Sequence, residues 1–200
     1  NWRRTGEDLS CGQAGIRLDD AISGVLIHGN IFYKSAAGKA GFGGVQIHGG
    51  KDNVLENNIF ADCEQAVSFS PWGEKRWRDF TAKFMESPKI DAGLYVQRYP
   101  ELAKLQENVD VNTLRRNIVW KCGKFTLRDK GTNILEGNIL DPAAETFANP
   151  EAGDFTVKAD APAVKDSGFV PIPFDKIGLC KDDYRKSIPE AEIQAARAQR

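Results

Sequence analysis

The stretch Asn53-Val-Leu-Glu-Asn-Asn58-Ile-Phe60 decides the fold, because it recurs. It returns as Asn112-Thr-Leu-Arg-Arg-Asn117-Ile-Val119 and as Asn133-Ile-Leu-Glu-Gly-Asn138-Ile-Leu140, with an earlier copy at Val25-Leu-Ile-His-Gly-Asn30-Ile-Phe32. Each copy has a branched apolar residue three before the final Asn and an Ile directly after it. Successive copies are spaced by 28, 59 and 21 residues. Two of these spacings suit a single coil, and the middle one is a coil plus an insertion. Self-similarity of this period signals a stack of coils rather than a globular arrangement of separate elements. An Asn at a sharp bend between short strands can turn its amide inward to bond the backbone and the Asn of the next coil, while the flanking Ile and Leu stack as apolar columns.

A second strand recurs between these copies, with alternation of period two. It reads Gly15-Ile-Arg-Leu-Asp-Asp20, Gly44-Val-Gln-Ile-His-Gly49, Ala66-Val-Ser-Phe-Ser-Pro71 and Lys124-Phe-Thr-Leu-Arg-Asp129. Superposition puts Ile16, Val45, Val67 and Phe125 in one inward column and Leu18, Ile47, Phe69 and Leu127 in another. Parity then sends Arg17, Gln46, Ser68 and Thr126 outward in one column, and Asp19, His48, Ser70 and Arg128 in the next. Since parallel neighbours lie about 4.8 Å apart, Asp19 and His48 are expected side by side on the surface.

The long spacing is filled by residues 71–110, where Trp77, Phe80 and Phe84 recur at helical spacing. One or two short helices are expected there, with a loop carrying Tyr95 between them. Leaving the sheet after Ser70, this insertion would wall one side of a groove beside Asp19 and His48. Beyond Asp141 a further strand is expected at Asp154-Phe-Thr-Val-Lys. Residues 169–179 are expected to cap the last coil, and residues 186–200 to form a terminal helix or tail. The fold class is therefore all-β, a parallel β-helix over residues 1–185 with a mainly helical insertion. The chain does not begin with Met and its first residues already carry repeat character, so upstream coils are expected to be missing.

Composition narrows the partners. Lys and Arg number 27 against 28 Asp and Glu, which removes the basic footprint of a nucleic-acid binder. No apolar run is long enough to cross a bilayer and no signal-peptide segment opens the chain. Four widely spaced cysteines form no C-x-x-C pair, against a zinc ribbon or thioredoxin motif. Cys63 and Cys122 both lie five residues after a repeat Asn and should stack in adjacent coils, with buried free thiols favoured over a disulfide.

At Gly-Ile-Arg-Leu-Asp-Asp20, Ile47-His-Gly-Gly-Lys-Asp-Asn53, Glu56-Asn-Asn-Ile-Phe60 and Pro171-Ile-Pro-Phe-Asp-Lys-Ile-Gly-Leu179 the chain resembles bacterial right-handed parallel β-helix proteins of the pectate-lyase-like superfamily. The resemblance is nearest to the C-terminal part of large secreted members regarded as glycoside hydrolases. It implies a right-handed coil, a polysaccharide or oligosaccharide partner and a secreted or periplasmic location. It does not give the reaction, because that superfamily contains hydrolases, lyases, epimerases and non-catalytic solenoids.

Glycoside hydrolysis needs two carboxyl groups, one to protonate the leaving oxygen and one to act as base or nucleophile. Asp19 and Asp20 beside His48 are the candidate catalytic residues. Asp20 ends its strand and can therefore share the outward face despite strand parity. Arg17, Gln46, Lys51, Ser68, Ser70, Trp72 and Arg128 are candidate substrate contacts. A lyase would instead use an Arg or Lys base, with a cation or Arg neutralising a uronate; Arg17, Lys51 and Arg128 serve that reading. No resident cofactor is expected, although Asp19 and Asp20 offer oxygen ligands for Ca²⁺. A third reading is a non-catalytic carbohydrate-binding or structural solenoid, in which Asp19 and His48 are a plain surface ion pair. His28, in line with Glu56, Arg115 and Glu136, reads as part of a structural charge ladder. The sequence leaves the oligomeric state open.

Overall fold

The structure is a computed structural model that describes residues 14–36, 41–177, 183–187 and 189. The chain runs through short strands in strict rotation: β1 (Ile16–Leu18), β2 (Leu26–His28), β3 (Ile31–Tyr33), β4 (Val45–His48), β5 (Val54–Glu56), β6 (Ile59–Ala61) and β7 (Gln65–Ser70). After two helices, α1 (Gly73–Met85) and α2 (Ala92–Arg98), the rotation resumes with β8 (Thr113–Arg115), β9 (Ile118–Trp120), β10 (Lys124–Leu127), β11 (Ile134–Glu136) and β12 (Ile139–Leu140). Every third strand joins the same sheet, giving three four-stranded sheets ordered β1-β4-β7-β10, β2-β5-β8-β11 and β3-β6-β9-β12. All their pairings are parallel. This is the strand stacking of a parallel β-helix.

The three sheets face one apolar core. Leu18, Val45, Ile47, Val67 and Phe69 enter it from the first sheet, Ile27, Leu55 and Leu114 from the second, and Phe32, Phe60 and Val119 from the third. Phe32 and Phe60 stack with centroids 4.8 Å apart and planes 10° from parallel, the offset geometry in which equivalent aromatics of successive coils attract.

The bends are held by asparagine. Asn58 Oδ1 accepts from the backbone N–H and the side-chain amide of Asn30, and Asn58 Nδ2 donates to Ile27 O and to Asn117 Oδ1. Asn117 repeats the pattern onto Asn138. The residue before each ladder Asn has a left-handed backbone: Gly29 (φ 68°), Asn57 (57°), Arg116 (51°) and Gly137 (57°). A second ladder runs five residues earlier. Asn53 Oδ1 accepts from Val25 N, Asn112 Oδ1 from Asn53, and Asn133 Oδ1 from Asn112. Its signal was present in the repeat, since three of the four copies begin with Asn.

Two expectations are corrected. The pairing of β10 with β7 is Thr126 to Val67 and Leu127 to Ser68, one residue away from the register that the apolar alternation gives. The cause is the asparagine ladder: Asn58 and Asn117 are 59 residues apart, and this offset is kept by β5 with β8 and by β6 with β9. Tyr95, expected in a loop, lies inside α2, which is started by Asp91 accepting from Leu94 N at 2.9 Å.

Among the described residues, the segment after β12 does not cover the last coil. It forms an antiparallel pair, β13 (Phe147–Asn149) with β14 (Asp154–Val157), and a short helix, α3 (Pro162–Lys165). Phe147, Phe155, Val164, Phe169 and Ile172 then pack on the outer face of the third sheet, over Ile59, Ile118 and Trp120. Tyr33 and Trp120, two copies of one repeat position, meet Phe155 there with centroids 5.2 and 6.0 Å away. At the last coil the inward residues Leu135 and Leu140 stay 46% and 56% exposed, whereas Ile27 and Phe32 of the first coil are buried. Of the expected cap, residues 178–179 lie outside the described residues, as do most of residues 186–200. No helix among the described residues is long and apolar enough to cross a membrane.

Candidate functional site

The parallel register of β1 with β4 aligns Arg17 with Gln46 and Leu18 with Ile47, so the next pair outward is Asp19 and His48. His48 Nδ1 lies 2.8 Å from Asp19 Oδ1 and 3.3 Å from Asp20 Oδ1. Asp20 reaches the same nitrogen because the chain leaves β1 in a left-handed bend, with φ 44° at Asp20 and 69° at Ala21. That bend breaks the strand's alternation and turns two consecutive carboxylates toward one imidazole. One ligand atom from each of Asp19, Asp20 and His48 falls within 4.8 Å of the others. Arg17 Nη2 completes the cluster, 2.9 Å from Asp19 Oδ1.

These contacts set the charge. The hydrogen bond from His48, aided by Arg17, holds the Asp19 carboxyl below the ordinary carboxylate range. Asp19 is therefore the fixed anion of the cluster. In a His48→Ala variant the Asp19 titration, followed by carboxyl carbon NMR, is expected to move to higher pH, because its largest stabilising partner is gone. A titration that stays put or falls removes His48 as the organising contact.

The insertion forms the wall. Asp110, just before β8, accepts from Trp72 N at 3.0 Å and Gly73 N at 2.6 Å, which pins its two ends together. Trp77 is buried under α1 and donates from Nε1 to Leu105 O at 2.8 Å. Phe80 and Phe84 do not follow Trp77 inward, contrary to a single packing face: they continue an aromatic file from Trp72, each step 5.0 Å between centroids. Beside this file lies an open groove of about 490 Å³ lined by Asp20 and, from the insertion, by Trp72, Lys75, Arg76, Asp79, Phe80 and Lys83. That volume is in the range of small-ligand sites. The lysines and the arginine of α1 are groove residues that the sequence reading passed over; their signal is the recurrence of Lys75, Asp79 and Lys83 every four residues, one stripe of a helix.

The remaining candidates are distributed unevenly. Ser70 is the in-register neighbour of His48 and accepts from Gln46 Nε2 at 3.1 Å. Trp72 stands edge-on to His48 at 5.8 Å, but its ring is covered by Arg76, 3.9 Å from the centroid. It also packs against Gly49 (φ 68°), where a Cβ would come within 2.8 Å of the indole. Trp72 thus seats the insertion on the sheet. Gln46 and Ser68 are fully buried and bonded to one another. Gly43 N donates to Ser68 Oγ at 2.7 Å, and Arg128 spans Phe69 O, Gly41 O and Gln46 Oε1. The outward column is therefore roofed here by the chain between β3 and β4. Lys51 is buried as well, with Nζ donating to Lys104 O at 2.9 Å and to Glu107 O, so it fastens the end of the insertion. His28, Glu56, Arg115 and Glu136 are in register, and Glu56 pairs with both Arg115 and Arg116.

Comparisons with protein-family models, with curated proteins and with solved structures return no match for this chain.

Proposed function

We propose that this chain is the carbohydrate-acting part of a right-handed parallel β-helix protein of the pectate-lyase-like type, and that it hydrolyses glycosidic bonds in a polysaccharide or oligosaccharide. The observation that carries the reading is the convergence of Asp19, Asp20 and His48, of which Asp20 also lines the α1 groove. One oxygen of each carboxyl lies within 4.8 Å of the other, nearer to the separation of about 5–5.5 Å of the retaining mode than to the about 6.5–9.5 Å across which the inverting mode seats a water. In this reading Asp19, kept ionised by His48 and Arg17, is the nucleophile or base. Asp20, with 69% of its side chain exposed, passes a proton to the leaving oxygen, and His48 aligns both carboxyl groups. The secreted or periplasmic location goes with the resemblance.

A second reading is a lyase. It is favoured by the cations on the groove wall, Lys75, Arg76 and Lys83, which suit an anionic sugar, and by the three ligand atoms, which suit a divalent cation. One screen against plant, algal and host glycans separates the readings, recording new reducing ends and unsaturated uronates together with EDTA controls. Reducing ends without unsaturation are expected. Unsaturation that EDTA abolishes would replace the hydrolase by a metal-assisted lyase. Binding without turnover on every glycan would leave a carbohydrate-binding solenoid.

A further inference from the structure

Cys63 and Cys122 lie two residues past the ends of β6 and β9, and the chain segments carrying them keep strand register beyond those strands. Asp62 N donates to Trp120 O at 3.0 Å and Gly123 N to Cys63 O at 3.1 Å. The two cysteines are therefore stacked partners in adjacent coils. Both thiols turn into the solenoid: Cys63 belongs to the main core cluster, and Cys122 packs against it. Cys63 Sγ rests on Phe32 O at 3.4 Å and on Ala61 O at 3.5 Å, and Cys122 Sγ on Trp120 O at 3.6 Å. Each thiol also senses the other: Cys63 is drawn down in pKa chiefly by the Cys122 thiol, while Cys122 is pushed up by Cys63 and by burial.

In-register parallel neighbours have Cα atoms about 4.8 Å apart, inside the span of about 4.4–6.8 Å that a disulfide bridges. The Cβ atoms of flat parallel strands sit slightly farther apart than a disulfide requires, so several tenths of an ångström must close. Both cysteines follow residues in left-handed bends, Asp62 (φ 55°) and Lys121 (φ 50°). They thus lie just past the strand ends, where the small closing shift would have to be made.

We propose that Cys63 and Cys122 form an intercoil disulfide in an oxidising environment, clipping together the two coils that flank the helical insertion. Each thiol gives up one proton and one electron as the sulfur–sulfur bond forms. A small-molecule disulfide such as oxidised glutathione takes up the two protons and two electrons released and is reduced to two thiols. The bond closes a covalent loop that contains α1, α2 and the whole groove wall, so it shortens the excursions of the unfolded chain over the segment with the largest insertion.

The test uses the whole chain with Cys11→Ser and Cys180→Ser, which leaves Cys63 and Cys122 as the sole thiols. The folded protein is incubated with oxidised glutathione, free thiols are alkylated, and the protein is digested without reductant for mass spectrometry. The expected result is one linked peptide pair, Cys63 with Cys122, an intact mass lower by two hydrogen atoms, and a thermal midpoint higher by about 5–10 °C. Reductant should reverse all three. Alkylation of both cysteines after oxidation, glutathione held on Cys122 alone, or linkage between two molecules would each overturn the proposal. The same experiment on the chain with all four cysteines checks that the pairing is not created by the substitutions.

Discussion

Replacing Asn58 by alanine is expected to cost about 3 kcal/mol or more of unfolding free energy, measured from urea denaturation at unchanged slope. Asn58 is fully buried and is bonded on every side: its carbonyl holds Asn30, and its amide holds Ile27 O and Asn117. Alanine takes the amide away from the half-buried Asn30 N–H and from the buried Ile27 carbonyl, and a polar group left unsatisfied costs about 1–3 kcal/mol. The same change at Asn138 removes an equivalent amide at the end of the ladder, where the site is half-exposed and water can replace it. Its expected cost is nearer 1 kcal/mol. Equal losses at the two positions would mean that the ladder does not act through burial.

The second large effect concerns turnover. On whichever glycan the screen identifies, Asp19→Asn is expected to lower kcat by about 10²–10⁴-fold while leaving sugar affinity nearly unchanged. Asparagine keeps the shape and the contact with His48 but cannot act as nucleophile or base. His48→Ala should reduce kcat less and also move the acidic limb of the pH–rate profile upward, because Asp19 then loses the bond that keeps it ionised. A full rate in Asp19→Asn would make the cluster a surface ion pair and send the search for the catalytic groups elsewhere in the groove.

How far these residues could be reached without coordinates depends on how local their causes are. The repeat, the parallel stacking and the pairing of Asp19 with His48 follow from spacing and parity alone, since a parallel ladder fixes which residues touch. Asp20 was within reach because a strand end releases parity. The β10 register was not, since two local signals disagreed by one residue and hydrogen bonding at the buried asparagines outweighed apolar alternation. Gln46, Ser68 and Arg128 sit in outward positions, yet a strand pattern contains nothing about the chain between β3 and β4 that folds over them. The groove lysines are a similar case, because which stripe of α1 faces the site depends on how Trp77 docks. The covering of the third sheet by Phe147, Phe155 and Phe169 also lay beyond the pattern: Ile59 and Ile118 read simply as repeat positions, with nothing to say which side needed a neighbour.

The clasp at Asp110 has a consequence for how such a molecule changes over time. Because the two ends of the insertion are tied together at one corner, the offset between coils goes from 22 residues at Gln46 and Ser68 to 59 at Asn58 and Asn117 and back to 21 at Asn117 and Asn138 without any strand losing its partner. That corner behaves as an exchangeable cassette. A helical segment of another length could close on the same corner and so alter which molecules the cleft admits, while the pairing of Asp19 with His48 is set by the register of β1 with β4, upstream of the insertion.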